Sequence, residues 1–205
     1  RNTPDFRSEA GLADALLHPQ DRAYSVPQLL DFLGGAGLQF GRWLRQAPYL
    51  PQCGALASSP HRRLLGRLPA DEQYAAVELF RGTLVRHSAI VFRDDLPGSA
   101  QPIRFDRDGW LEYVPHRTPD TVCVEKRLPP GAAAVLINRA HTCTDLYLPV
   151  DARERSLFDA IDGARTIGEL AGQQTTPDAA RACFERLWRY DQVVFDASRR
   201  QGLPG

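Results

Sequence analysis

Directly behind Ser25-Val26-Pro27-Gln28, apolar residues recur at helical spacing: Val26, Leu29, Leu30 and Leu33. Ser25 offers a cap, Gln28 a side chain to close a capping box, and Pro27 sits where a first turn tolerates it, so the pattern predicts a helix over 26–34. Gly34, Gly35 and Gly37 then stop the helix, and Leu38 to Leu44 read as a strand. The residues before this helix, 1–24, are polar apart from the short apolar stretch Leu12 to Leu17. Pro48, Pro51, Pro60 and Pro69 predict an irregular connection over 46–69, enclosing a short helix around His61 to Gly66. Tyr74, Val77, Glu78, Phe80 and Arg81 set an amphipathic pattern for a helix that opens at Asp71 and ends near Gly82. His87 to Arg93 follow as a strand whose Ile90, Val91 and Phe92 make both faces apolar, the pattern of an inner or covered strand.

The turn-rich run Asp94 to Ser99 predicts a boundary between two units, residues 1–98 and 99–205. Beyond it, Ile103 to Phe105 and Trp110 to Val114 flank Asp106-Arg107-Asp108-Gly109, a hairpin signal. Strands are expected at Val122 to Val124, Ala134 to Ile137 and Leu146 to Val150. Three short helices come next, each with its own start signal: Asp151 with Glu154, Thr166 with Glu169, and Thr176-Pro177-Asp178. Their buried positions are read as Leu157, Phe158 and Ile161, then Ile167 and Leu170, then Ala180, Phe184, Leu187 and Trp188. Gln192 to Phe195 close the chain as a strand. The expected fold class is α+β, with a helix-strand-helix-strand portion followed by a small winged-helix-like domain.

Composition narrows the function classes. At 205 residues and 43% hydrophobic, the chain has material for a core. Twenty-five basic residues balance twenty-five acidic ones, so no overall field draws it to nucleic acid or to an anionic membrane. Lys126 is the only lysine, the arginine bias expected of GC-rich coding rather than of a selected phosphate-binding surface. No apolar run approaches the roughly 20 residues that span a bilayer, and no signal pattern opens the chain, so a cytoplasmic address is expected. Cys53, Cys123, Cys143 and Cys183 form no C-x-x-C pair and are expected to be reduced and mostly buried. The chain opens with Arg1 and contains no methionine, which predicts a piece of something longer.

A phosphate-cradling loop needs a strand, a glycine turn and then a helix, because the anion sits on the amino end of that helix. Here the glycines follow a helix and precede a strand, so no nucleotide site is expected. His87, ahead of an apolar strand, reads as a satisfied structural histidine. His141, Cys143 and Asp145 alternate, but without a further matched ligand they make no metal site. Arg181, Arg186 and Arg189 interleave with Asp178, Glu185 and Asp191, a charge-mixed face rather than a DNA-binding stripe.

The run His18 to Leu30 is similar to a stretch in a group of bacterial class I S-adenosylmethionine-dependent methyltransferases, where it lies just past the central strands of the cofactor-binding sheet. The likeness continues through Phe40-Gly41-Arg42-Trp43, Arg45 to Pro51, Glu78 to Thr83 with Arg86-His87-Ser88, Leu136 to Arg139, Thr144-Asp145-Leu146 and Ile161 to Ile167. It implies that residues 25–93 form the end of the methyltransferase sheet, and that the glycine-rich cofactor loop lies in an upstream segment absent from this sequence. The implied cofactor is S-adenosylmethionine in the parent protein, with none on this piece alone, and the implied partner is that missing N-terminal segment. Asp162-Gly163 and Thr166-Ile167-Gly168-Glu169-Leu170 also resemble modules related to the pyrroloquinoline-quinone peptide chaperone, which bind a peptide or another domain.

Methyl transfer is an in-line displacement, so the resemblance asks for groups that align the acceptor and remove a proton. His18 is the candidate base, Asp21 its orienter and Tyr24 a pocket wall; the other reading pairs Asp21 with Arg22 on the surface and packs Tyr24 on the sheet. Arg45 and Tyr49, with Gln52, are candidates for a substrate lid, or else part of an ordinary connector. The rival function is a noncatalytic module that binds a peptide or a partner domain.

Overall fold

The computed structural model describes residues 8–17, 22–95, 102–107, 109–172 and 175–198. The chain is α+β, with seven helices and seven strands among these residues. Helix α1 (Glu9–Leu17) is an element that the apolar stretch alone did not predict. Its start is carried by Ser8, whose Oγ accepts from the Gly11 amide at 3.0 Å.

Helix α2 (Val26–Gly35) begins as its sequence predicts: the Ser25 amide donates to Gln28 Oε1 at 3.0 Å, and Ser25 Oγ donates to the same oxygen at 3.2 Å. Gly37, at φ +68°, turns the chain into β1 (Leu38–Trp43). Strand β1 pairs antiparallel with β2 (Ala89–Arg93), from Leu38 opposite Arg93 to Trp43 opposite Ala89, with a bulge between Phe40 and Arg42. Gly41 fills that bulge because a Cβ there would lie 2.4 Å from the Phe92 ring. The short helix α3 (Arg62–Leu65) and the longer α4 (Ala70–Arg81) fall where the pattern placed them. Val26, Trp43 and Tyr49 form the core here, with Leu29, Leu30, Phe40 and Tyr74 against it.

Among the described residues nothing covers β2 as an inner strand would be covered. Among the described residues β1 and β2 form a sheet of two strands only, and Ile90 is 37% exposed. Periodicity reports that both faces are apolar; it does not supply the layers that would cover them.

The hairpin over 103–114 is also corrected. Trp110–Glu112 form a 3-10 turn behind Gly109, and 103–105 pair with no strand among the described residues. Tyr113 is drawn into the core at 1% exposure, and its hydroxyl takes up both the amide (3.3 Å) and the carbonyl (3.2 Å) of Arg104, which replaces ladder bonds with side-chain bonds. The strand that follows, β3 (Val114–Arg117), pairs instead with β7 (Val193–Asp196), far along the chain. Asp108, part of the turn signal, lies outside the described residues.

Strands β4 (Thr121–Val124), β5 (Ala134–Asn138) and β6 (Tyr147–Val150) make an antiparallel sheet with β5 in the middle. Helices α5 (Ala152–Asp159), α6 (Ile167–Ala171) and α7 (Pro177–Arg189) cover it. All three predicted caps form: Asp151 accepts from the Glu154 amide at 2.8 Å, Thr166 Oγ1 from Glu169 at 3.2 Å, and Thr176 Oγ1 from Ala179 at 3.3 Å. The main core joins Leu136, Leu148, Phe158, Ile161, Phe184 and Leu187, with Trp188 at its margin. No described helix is long and apolar enough to cross a membrane.

The cysteines are all free, but only Cys53 and Cys183 are buried; Cys123 and Cys143 are half-buried, fewer covered thiols than expected. Burial pushes the Cys183 thiol up to about 12. The proposed boundary at 98/99 lies outside the described residues. On either side of it the chain comes together again through a third apolar cluster, in which Ala47 and Cys53 meet Leu146.

Candidate functional site

The carboxyl end of β1 and the amino end of β2 are held together by the Leu44 amide, which donates to the Ser88 carbonyl at 2.8 Å. Just beyond this point the chain spreads. Arg45 leads into a 3-10 turn over Ala47–Tyr49, while Leu84 to Ser88 run back toward β2. The loop at 140–142, behind β5, approaches from the other half and closes a cleft of about 500 Å³.

Its aromatic wall is rigid. Tyr49 is buried and stacks on Trp43, with ring centroids 4.0 Å apart and planes 11° from parallel. The Tyr49 hydroxyl lies 2.8 Å from His87 Nδ1, and His87 Nε2 lies 3.1 Å from Glu78 Oε1. A carboxylate only accepts, so Nε2 carries the proton toward Glu78 and Nδ1 accepts from tyrosine. Glu78 uses its other oxygen to accept from the Val26 amide at 2.8 Å, at the positive amino end of α2. The relay Val26–Glu78–His87–Tyr49 thus satisfies both nitrogens of His87. Burial, with Glu78 and then Cys143 adding negative potential, pushes the Tyr49 phenol up to about 12. A phenol so held is a hydrogen-bond donor and a wall rather than a base at neutral pH.

The opposite side is built on Asp191, which is 5% exposed and adopts φ +54°, a left-handed conformation uncommon outside glycine. Its carboxylate accepts from the amides of Gln46 (3.1 Å) and Ala47 (2.9 Å) and from His141 Nε2 (3.0 Å). His141 is among the residues lining the cleft, although its side chain is only 2% exposed, and its Nδ1 is buried with no hydrogen-bond partner among the described residues.

The sequence-predicted residues fall in three places. Arg45 and Tyr49 both line the cleft. Tyr24 is not among its lining residues: its ring lies 5.5 Å from Phe32 on α2, with the Arg22 guanidinium 5.0 Å above it. That is neither a wall of this cleft nor the packing on the sheet of the other reading. His18 and Asp21 lie outside the described residues. Gln52 is half-buried and does not line the cleft. In the sequence His141 is only one member of an alternation and Asp191 one charge on a mixed face. Nothing local marks them, because the pair closes over 50 residues.

Asp145, from the same alternation, is also committed elsewhere. It accepts from the Ala55 amide at 2.7 Å and pairs with Arg81 at 2.9 Å. Gly54 is required beside it, at φ +66° with a would-be Cβ 2.1 Å from the Asp145 carboxylate. Among the described residues no group of three or more His, Cys, Asp and Glu side chains is arranged to hold a metal ion. The glycines at 34–37 sit at the carboxyl end of α2, where carbonyls rather than amides are exposed, so they offer no cradle for an anionic cofactor group. On α7, Arg186 is paired with Glu154 and Arg189 with Glu185. No protein-family model matches the chain.

Proposed function

We propose that this chain is the C-terminal part of a class I S-adenosylmethionine-dependent methyltransferase, contributing the end of its sheet and part of its acceptor pocket but not the cofactor loop. The supporting observation is the order α2–β1–α3–α4–β2 with β1 and β2 antiparallel, which, with the short α3 taken as part of the connection, matches the helix-strand-helix-strand ending that the sequence resemblance implies. In this reading residues 1–98 belong to the catalytic domain and 99–205 form a winged-helix-like accessory domain. His18 and Asp21 serve as base and orienter, and Arg45 and Tyr49 bind the acceptor. Tyr24, which lies off the cleft, keeps no part in it.

Large apolar side chains left in water favour a missing partner segment over a self-sufficient fold. Phe32, Leu64, Leu79 and Phe80 are each more than half exposed, and all belong to the first unit. A two-stranded sheet is marginal by itself, and a strand apolar on both faces is stable only when covered. The upstream segment of the parent polypeptide would supply that cover together with the cofactor loop. Titrating S-adenosylmethionine calorimetrically into the parent polypeptide and into this 205-residue chain tests the proposal. Saturable binding by the parent alone is expected. Absence of binding by the parent overturns it and leaves the noncatalytic, partner-binding reading.

A further inference from the structure

We propose that the cleft between the β1–β2 end and the 140–142 loop is a binding site for a small organic oxyanion with an apolar body. The inference concerns ligand recognition alone and does not depend on the methyltransferase reading.

Charge is the first argument. Among the described residues the cleft is lined by two arginines, Arg45 and Arg86, and by no acidic residue. Arg81 is engaged with Asp145, Arg155 with Asp159 and Arg165 with Asp162, whereas other exposed arginines such as Arg62 and Arg153 stand in open solvent; what sets Arg45 and Arg86 apart is that both line one cleft. Arg45 and Arg86 are exposed, and neither guanidinium has an ion-pair or hydrogen-bond partner among the described residues. Two unpaired guanidiniums at one opening, in a chain whose formal charge is zero, make a local positive site that a carboxylate or phosphate can neutralise with charge-assisted bonds.

Shape and polarity are the second argument. Leu44, Pro48, Leu84 and Val85 give the cleft apolar walls, and the stacked Tyr49 makes one of them stiff. Val85 is 92% exposed and Leu44 53%, an arrangement that costs hydration free energy unless something apolar covers them. Ser88 and Thr142 add hydroxyls that donate or accept. A cleft of about 500 Å³ suits a small molecule rather than a folded partner. The relay through His87 and the bonds to Asp191 hold both sides of the cleft in place before any ligand arrives, which lowers the cost of binding.

The two sources of an oxyanion, a carboxylate and a phosphate monoester, are separated by the probes. We would titrate 2-naphthoate, 2-naphthyl phosphate and the neutral 2-naphthamide into the 205-residue chain and into its Arg45→Gln/Arg86→Gln double variant. At least one anion should bind about 10-fold or more tightly than the amide, and the double variant should abolish most of that preference, since each charge-assisted bond is worth roughly 10-fold. The tighter anion identifies the class. Both replacements are at exposed positions, and binding of the amide by the double variant controls for folding. Equal affinity for all three probes, no saturable binding by any of them, or an anion preference that survives in the double variant would overturn the site.

Discussion

Asp191 combines two unfavourable features that only its bonds justify. A left-handed backbone costs a non-glycine residue on the order of 1 kcal/mol, and a carboxylate 5% exposed has lost most of its water. Three donors on one side chain, from Gln46, Ala47 and His141, offset both. Replacing it by alanine keeps the strain and strands two buried amides and a buried imidazole. Asp191→Ala should therefore cost about 3–5 kcal/mol, the loss expected when several hydrogen bonds to one buried charged acceptor are broken together. Asn tolerates the left-handed region and retains one acceptor oxygen, so Asp191→Asn should cost distinctly less. Urea denaturation of both variants measures the difference; equal losses would mean that the strain relief and the bonds have been misjudged. The same residue shows why the site was only half legible in the sequence. Arg45 and Tyr49 stand out because a proline-rich connection displays them, whereas Asp191 and His141 look ordinary until the fold brings them within 3.0 Å.

Capping chemistry is the level at which sequence and structure agree best. Ser25–Gln28, Asp151–Glu154 and Thr166–Glu169 are each four-residue signals, and each closes on itself without help from the rest of the chain. The hairpin read at 103–114 failed for the opposite reason. Its turn residues were suitable, but Tyr113 gains more from the core than from a ladder, and β3 finds its partner at β7 about 80 residues away. The cover of β2 is likewise beyond a local pattern, since covering layers are tertiary facts. A local signal is also the safer basis for an energetic prediction. In α5, Asp151 accepts from the Glu154 amide at 2.8 Å, and Glu154 Oε2 accepts from the Asp151 amide at 3.1 Å. Asp151→Ala should lower stability by about 1 kcal/mol with no change in the cooperativity of unfolding. A loss above about 3 kcal/mol would show that the pairing of Glu154 with Arg186 had collapsed with the cap.

At the scale of the whole molecule, the first half is fastened to the second by a few polar ties around a small apolar contact. One is the Asp191 cluster, beside which Gln46 Nε2 donates to the Trp188 carbonyl and the Gly54 amide to the Tyr190 hydroxyl; another is Asp145, which joins Arg81 of α4 and the Ala55 amide to the segment before β6. Burial opposes ionisation of Asp145, but the Ala55 amide and the Arg81 guanidinium outweigh it and hold its carboxyl below the ordinary value of 3.8. A carboxyl whose folded pKa is depressed stabilises the fold above its unfolded pKa, and that contribution is lost as pH falls through the folded value. The tie at Asp145 should thus be intact at neutral pH and fail only below about pH 4. Its loss has a distinctive consequence, because Arg81 is 5% exposed and would be left charged without its partner. Asp145→Asn should therefore destabilise the chain at pH 7 and flatten the acid limb of its stability curve between about pH 5 and 3, while leaving Asp151 capping unaffected. Thermal unfolding across that range, wild type against variant, checks both parts. If the two curves run parallel, Asp145 contributes nothing to acid sensitivity, and the junction between the halves rests on Asp191 and the apolar contact of Ala47 and Cys53 with Leu146.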